Sequence, residues 1–115
     1  MVAHEPGPWF DETLISIAAQ DYPRFAVTVV ASGLSEDDEA DLERSLPDAD
    51  VRHVDDGVGY SQAANELLSD SSPPAFYLFC HDDVALASDA IRLLVEEAIR
   101  SNASIVGPKI VAWDR

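Results

Sequence analysis

Short apolar and β-branched runs alternate with helix-like segments along this chain, and the connections between them are only a few residues long. No other feature narrows the fold so far. A strand, a helix and a further strand in succession pack as a parallel unit, with the helices covering the faces of the sheet. The expected architecture is α/β, a doubly wound, mostly parallel sheet with helices on both faces. The 115 residues leave room for one domain, 1–115, with a modest core. At this size roughly two-thirds of the unfolded surface is buried.

Local signals place the segments. Residues 1–3 look like the end of a strand, and 4–8 form a loop whose Pro8 suits the first turn of a helix, where a missing N–H costs little. Phe10, Leu14, Ile17 and Ala18 recur at helical spacing and predict one buried face. The β-branched run within 25–31 predicts a second strand. Ser35 is a good N-cap for the acidic stretch 36–46, whose early carboxylates favour the positive end of the helix dipole. That charge run reads as a solvated helical face and not as a metal cluster. Residues 51–54 predict a short third strand, and 60–68 a helix with Ala63, Ala64, Leu67 and Leu68 inward. Ser88 reads as the N-cap of an amphipathic helix over 89–100 with Ile91, Leu94, Val95, Ala98 and Ile99 buried. Asn102 fits its stop, and 104–113 is a last extended stretch.

The chemistry concentrates at 75–86, where an aromatic-rich apolar run ends abruptly in Asp82 and Asp83. The run predicts a buried strand that delivers both carboxylates to solvent at its C-terminal end. Open α/β sheets bind their ligands on that side. Adjacent carboxylates repel unless a cation or well-placed donors hold them, so the pair points to a divalent metal that serves a phosphate. Capping or loop carboxylates are the plainer alternative. His81 could ligate the same metal, since imidazole suits Mn²⁺ or Zn²⁺ better than Mg²⁺, or hold a hydrogen bond behind it. Loops 4–8, 31–35, 55–60 and 81–84 all follow strands and are expected to line one crevice.

Other motifs say less. Gly57-Val58-Gly59 before a helix resembles a phosphate cradle but lacks the third glycine of the dinucleotide fingerprint and the ending of a P-loop. Trp9 and Tyr60 flank two of the loops and could stack on a nucleobase, although aromatics at helix starts commonly serve packing. His53 reads as structural, and Cys80, inside the apolar run, as a buried thiol and not a nucleophile.

Charge and composition exclude several classes. A formal charge of −15 makes nucleic acid and anionic membrane surfaces poor partners, because both need a basic footprint. One cysteine excludes an internal disulfide and a cysteine-based zinc site. No stretch approaches the ~20 apolar residues of a membrane span, and the start lacks the layout of a signal peptide. The expected location is cytoplasmic, or at the cytoplasmic face of a membrane through a parent protein.

In order, residues 4–23, Gly-Tyr-Ser-Gln-Ala-Ala-Asn at 59–65, Phe-Tyr-Leu-Phe-Cys-His-Asp-Asp-Val at 76–84 and the stretch 102–110 resemble the family-2 glycosyltransferases. These are inverting enzymes of the GT-A fold that move a sugar from a nucleotide diphosphate to a hydroxyl. The resemblance implies a partial GT-A, Rossmann-like fold, truncated at its margins, that forms the nucleotide-sugar-binding portion of a longer domain. It implies that Ala3, His4, Glu5 and Pro6 lie against the nucleotide, with Ser32 at the second strand end, and that Gly59, Ala64 and Asn65 close on it. His81-Asp82-Asp83 is similar to the family's Asp-x-Asp motif with histidine first. Asp83 would then be the direct ligand of Mn²⁺ or Mg²⁺, with Asp82 supporting it, touching the nucleotide sugar or sharing the metal, and His81 a further candidate ligand. The implied partners are a nucleotide-diphosphate sugar, a hydroxyl acceptor on a glycan, lipid or polymer, and the remainder of the parent glycosyltransferase. An exposed sheet edge would also invite self-association.

Two departures from the pattern stand out. The family's second strand ends in an acidic residue that meets the base, where this chain has Ala31-Ser32-Gly33. The family's catalytic base lies in the second half of the domain, beyond the position of Arg115, so no catalytic residue is assigned and the chain alone is expected not to turn over. A degenerate, non-catalytic nucleotide-binding or interaction domain of the same fold is the competing reading. A receiver-like phosphorylation domain would need an acceptor Asp near Ala31-Ser32, which the chain lacks, although Lys109 is present.

Overall fold

Three short strands, β1 (Val2–His4), β2 (Thr28–Ser32) and β3 (Asp50–His53), form a parallel sheet in the order β1-β2-β3 in a computed structural model that describes residues 1–69 and 72–112. Val29, Val30 and Ala31 in β2 are wholly buried, as a strand with both faces covered requires. The register sets Ala3 opposite Ala31 and His4 opposite Ser32, so β1 and β2 end level with each other.

Two helices cover one face. α1 (Phe10–Ala18) and α2 (Glu36–Ser45) pack together and share a core of Met1, Ala3, Phe10, Leu14, Ile17, Val29, Ala31 and Leu42. Each large side chain buried there contributes roughly 1.5–3 kcal/mol. Val30 points to the opposite face and is equally buried. α3 (Tyr60–Asn65) contacts β1 and buries Ala63 and Ala64, then tightens into a 3-10 turn at Glu66–Ser69. α4 (Ala90–Ser101) buries Ile91 and Ala98. Among the described residues no helix is long and apolar enough to cross a membrane.

Local signals hold where local chemistry decides. Ser35 Oγ accepts the Asp38 N–H at 3.1 Å and the Asp38 carboxylate accepts the Ser35 N–H at 2.8 Å, a complete capping box at the start of α2. Asn102 ends α4 with a left-handed φ of 55°.

Other expectations need correction. Residues 75–83 are not a buried strand: one backbone bond, Val2 N–H to Cys80 O at 3.2 Å, lays them beside β1, and Phe76 to Phe79 are 40–48% exposed. An apolar run becomes a strand only when a ladder and covered faces hold it there, and among the described residues nothing pairs with its outer edge. Residues 104–112 form no strand either, and Ile105, Ile110 and Val111 are exposed; the expected end at Trp113 lies outside the described residues. Ser88 does not cap α4. Asp89 takes the cap position without a side-chain bond, and Gln20 Oε1 accepts the Ile91 N–H at 3.0 Å instead. Within the helices, Ala18, Leu68 and Ile99 are exposed, and Thr13 is buried on α1 between the expected core positions.

Candidate functional site

The level ends of β1 and β2 gather the first set of functional residues. Ser32 is buried, its carbonyl accepts the Glu5 N–H at 3.0 Å, and its Oγ lies 2.6 Å from His4 Nδ1. The chain then turns sharply, with φ of +66° at Gly33 and 40° at Glu5. A Cβ at Gly33 would stand 2.6 Å from Glu5 Cγ, so the two loops cross too closely for a larger residue.

Asp82 joins this junction from the third direction. Its Oδ2 accepts the backbone N–H of His4 at 2.9 Å, and its carbonyl lies 3.1 Å from Thr13 Oγ1, which is as far from Trp9 O. The half-buried Asp82 is thus tied to β1 and α1, whereas Asp83 is exposed and its carboxylate has no partner among the described residues. The two adjacent acids therefore divide their work: one carboxylate is spent on the fold, the other is free.

Residues 85–92 dock on α1. Gln20 Nε2 donates to Ala87 O at 2.7 Å, Ser16 Oγ accepts the Leu86 N–H at 3.0 Å, and the Asp21 N–H reaches Ser88 O at 2.9 Å. Arg92 closes the seam with an ion pair to Asp21 at 3.0 Å. The segment after the acidic pair is held in place by Ser16 of α1 and by Gln20 and Asp21 just beyond it.

The α3 loop meets the same place through rings. Tyr60 and His81 stack with centroids 4.5 Å apart and planes 17° from parallel. Beside them the Cys80 thiol is half-buried and donates to His81 O at 3.1 Å. Burial pushes this thiol up from its ordinary value and the Asp82 and Asp83 carboxylates add to the rise, against the Met1 ammonium. Cys80 is therefore a protonated, unreactive thiol at neutral pH. Two surface hollows of about 300 and 360 Å³ lie elsewhere, along α2 and β3 and around Phe25 to Val27. Their linings contain neither acid of the pair.

Residues 1–115 match the family described as Glycosyl transferase family 2. The chain belongs to that family. Comparison with curated proteins and with solved structures gives no match. As a family 2 glycosyltransferase domain it is tied to glycosyl transfer in general, and its three-stranded parallel sheet with four helices is an α/β arrangement in keeping with a partial GT-A fold.

Within this glycosyltransferase domain the expected site residues fall into two groups. His4, Ser32 and Asp82 are joined by hydrogen bonds, with Glu5 on the same junction. Gly59 and Asn65 are exposed at the start and end of α3, linked to that junction through the Tyr60–His81 stack. Ala3 and Ala64 are buried, and Pro6 is half-buried in the first loop. Two residues with structural authority over the site, Thr13 and Gln20, were not among the expected ones. Thr13 had a legible signal, a hydroxyl on an otherwise apolar helix face. Gln20 had none, because its partners are 67 and 71 residues away.

His81, Asp82 and Asp83 do not converge: among the described residues no three His, Cys, Asp or Glu side chains are grouped to hold a metal ion. The described residues thus form no all-protein cage; a hard cation of the Mg²⁺ or Mn²⁺ kind is commonly held by one or two carboxylates, with phosphates and waters completing the shell. The free, exposed carboxylate of Asp83 is the donor that suits it.

Proposed function

We propose that the crevice at the ends of β1 and β2 binds a nucleotide-diphosphate sugar, and that Asp83, backed by Asp82, holds a divalent cation, Mn²⁺ or Mg²⁺, against the diphosphate. The observation that carries this reading is the division between the adjacent acids, one pinned to His4 and one free. A bound cation would supply positive charge opposite the departing diphosphate, which is leaving-group electrostatics. The chain's own part is to orient. The His4–Ser32 contact fixes the first loop, and the Asp82 bond to His4 sets the distance between that loop and the carboxylate of Asp83. The proposed reaction is an inverting transfer to a hydroxyl acceptor that a general base deprotonates.

The absence of a three-ligand cluster favours one second reading, a degenerate domain of the same fold that no longer binds the donor. Titration calorimetry of the chain with Mn²⁺ and a panel of nucleoside diphosphates separates the two. Metal-dependent binding that Asp83→Ala removes is expected; no binding favours the degenerate domain.

A further inference from the structure

The Tyr60–His81 stack has no counterpart in the sequence reading, which left Tyr60 between packing and a nucleobase and His81 between a metal and a supporting hydrogen bond. The rings instead hold each other. Near-parallel face contact at this separation restricts rotation of both rings, while the nitrogen lone pairs of an imidazole lie in its plane and stay uncovered by a stacked neighbour. Neither ring nitrogen of His81 has a partner among the described residues.

The stack matters because little else ties residues 81–83 to the α3 side of the crevice. The hydrogen bonds from Cys80 and Asp82 run to β1 and α1, through Val2 N–H, His4 N–H and Thr13 Oγ1. The 55–59 loop before Tyr60 stands in open surroundings: a Cβ at Gly57 or Gly59 would meet nothing within 4 Å. Tyr60 therefore anchors the start of α3 to the residue that immediately precedes both acids.

We propose that Tyr60 is a positioning residue for the Asp82–Asp83 pair: its ring, stacked on His81, couples the 55–59 loop to the binding of a cation and a diphosphate there. This inference rests on the metal and diphosphate reading given above. It adds that the α3 side takes part through an aromatic contact and supplies no ligand of its own. Cation and diphosphate should in turn rigidify the stack, since a coupling between two sites is reciprocal.

The test uses the 115-residue chain, Mn²⁺ and inorganic pyrophosphate, with bound Mn²⁺ read by water-proton relaxation and the His81 ring protons read by NMR. Tyr60→Leu, which keeps apolar volume but removes the ring, is expected to weaken Mn²⁺–pyrophosphate binding about 3- to 10-fold, the range that corresponds to one aromatic pair. The ring-current shift of the His81 protons should vanish with it. Tyr60→Phe should restore both the shift and the affinity to within about twofold, a rescue that a role in general stability confined to the phenol would not give. Wild-type binding that Tyr60→Leu leaves unchanged overturns this inference alone. If the wild-type chain binds no Mn²⁺ with pyrophosphate, the metal reading falls, and this inference falls with it.

Discussion

The backbone N–H of His4 donates to Asp82 Oδ2 across 2.9 Å, although 78 residues separate the two in sequence. The bond joins the end of β1 to the acidic pair and gives Asp82 a structural role that Asp83 lacks. Asp82→Ala is expected to lower the unfolding free energy by about 1 kcal/mol, below the roughly 1.5–3 kcal/mol of a charge-assisted bond because the site is exposed. Asp83→Ala should change it by less than about 0.5 kcal/mol. Urea denaturation of both variants checks this; equal losses would sink the division of labour between the two acids.

Gly33 and Glu5 cross where the two strand ends turn. Gly33→Ala is expected to cost about 1–3 kcal/mol, since it combines a positive φ with a Cβ placed against Glu5. Adding Glu5→Ala should recover the part that comes from the clash, leaving the backbone strain. A double-mutant cycle by thermal unfolding measures the coupling, and strictly additive losses would show that the side chains do not meet.

Gln20 serves as a remote cap. Its amide nitrogen donates to Ser16 O and Ala87 O, and its oxygen accepts the Ile91 N–H. Gln20→Ala should destabilise the domain by about 1–2 kcal/mol and accelerate hydrogen exchange at the Ile91 amide. Unaltered protection at Ile91 would mean that α4 is capped by other means.

The Arg100 guanidinium holds the Glu97 carboxyl below its ordinary value through a hydrogen bond at 2.8 Å and a second, shorter one. A carboxyl whose value is lowered by folding contributes stability that is present above its unfolded value and lost as pH falls through the lowered one. The side chain is on the surface, so the contribution is small and salt-sensitive. In a carbon-detected NMR titration, Arg100→Gln should move the Glu97 midpoint up toward about 4.3, the usual glutamate value. No upward movement would remove Arg100 as the cause.

How far the chain could be read in advance depended on the range of the interaction. Ser35 with Asp38 and Asn102 are decided within a turn of helix, and both appear as their residue types predict. The acidic pair was legible because an apolar run stops at it, and the structure does bring Asp82 to the end of the sheet. The run itself was misread as a strand, since hydrophobicity at Phe76 to Phe79 says nothing about whether a ladder exists to receive it. Ser88 was misread as a cap for a related reason: the group that captures Ile91 N–H, Gln20, comes from the turn after α1, and no window around α4 contains it. The Tyr60–His81 stack escaped because each ring had a plausible ligand of its own.

Site assembly also has an order in time. His4 meets Ser32 over 28 residues, but Thr13 and His4 meet Asp82 only over 69 and 78. Closing the longer loops costs chain entropy before any contact repays it, so distant pairs tend to form late. A chain halted after β1, α1 and β2 have docked would already have the first loop seated on Ser32, yet neither acid would be near it. The carboxylates are thus expected to reach the crevice late in folding, and the 76–79 stretch, exposed and joined to β1 by no backbone bond beyond the one at Cys80, is expected to exchange its amides early when the domain is stressed.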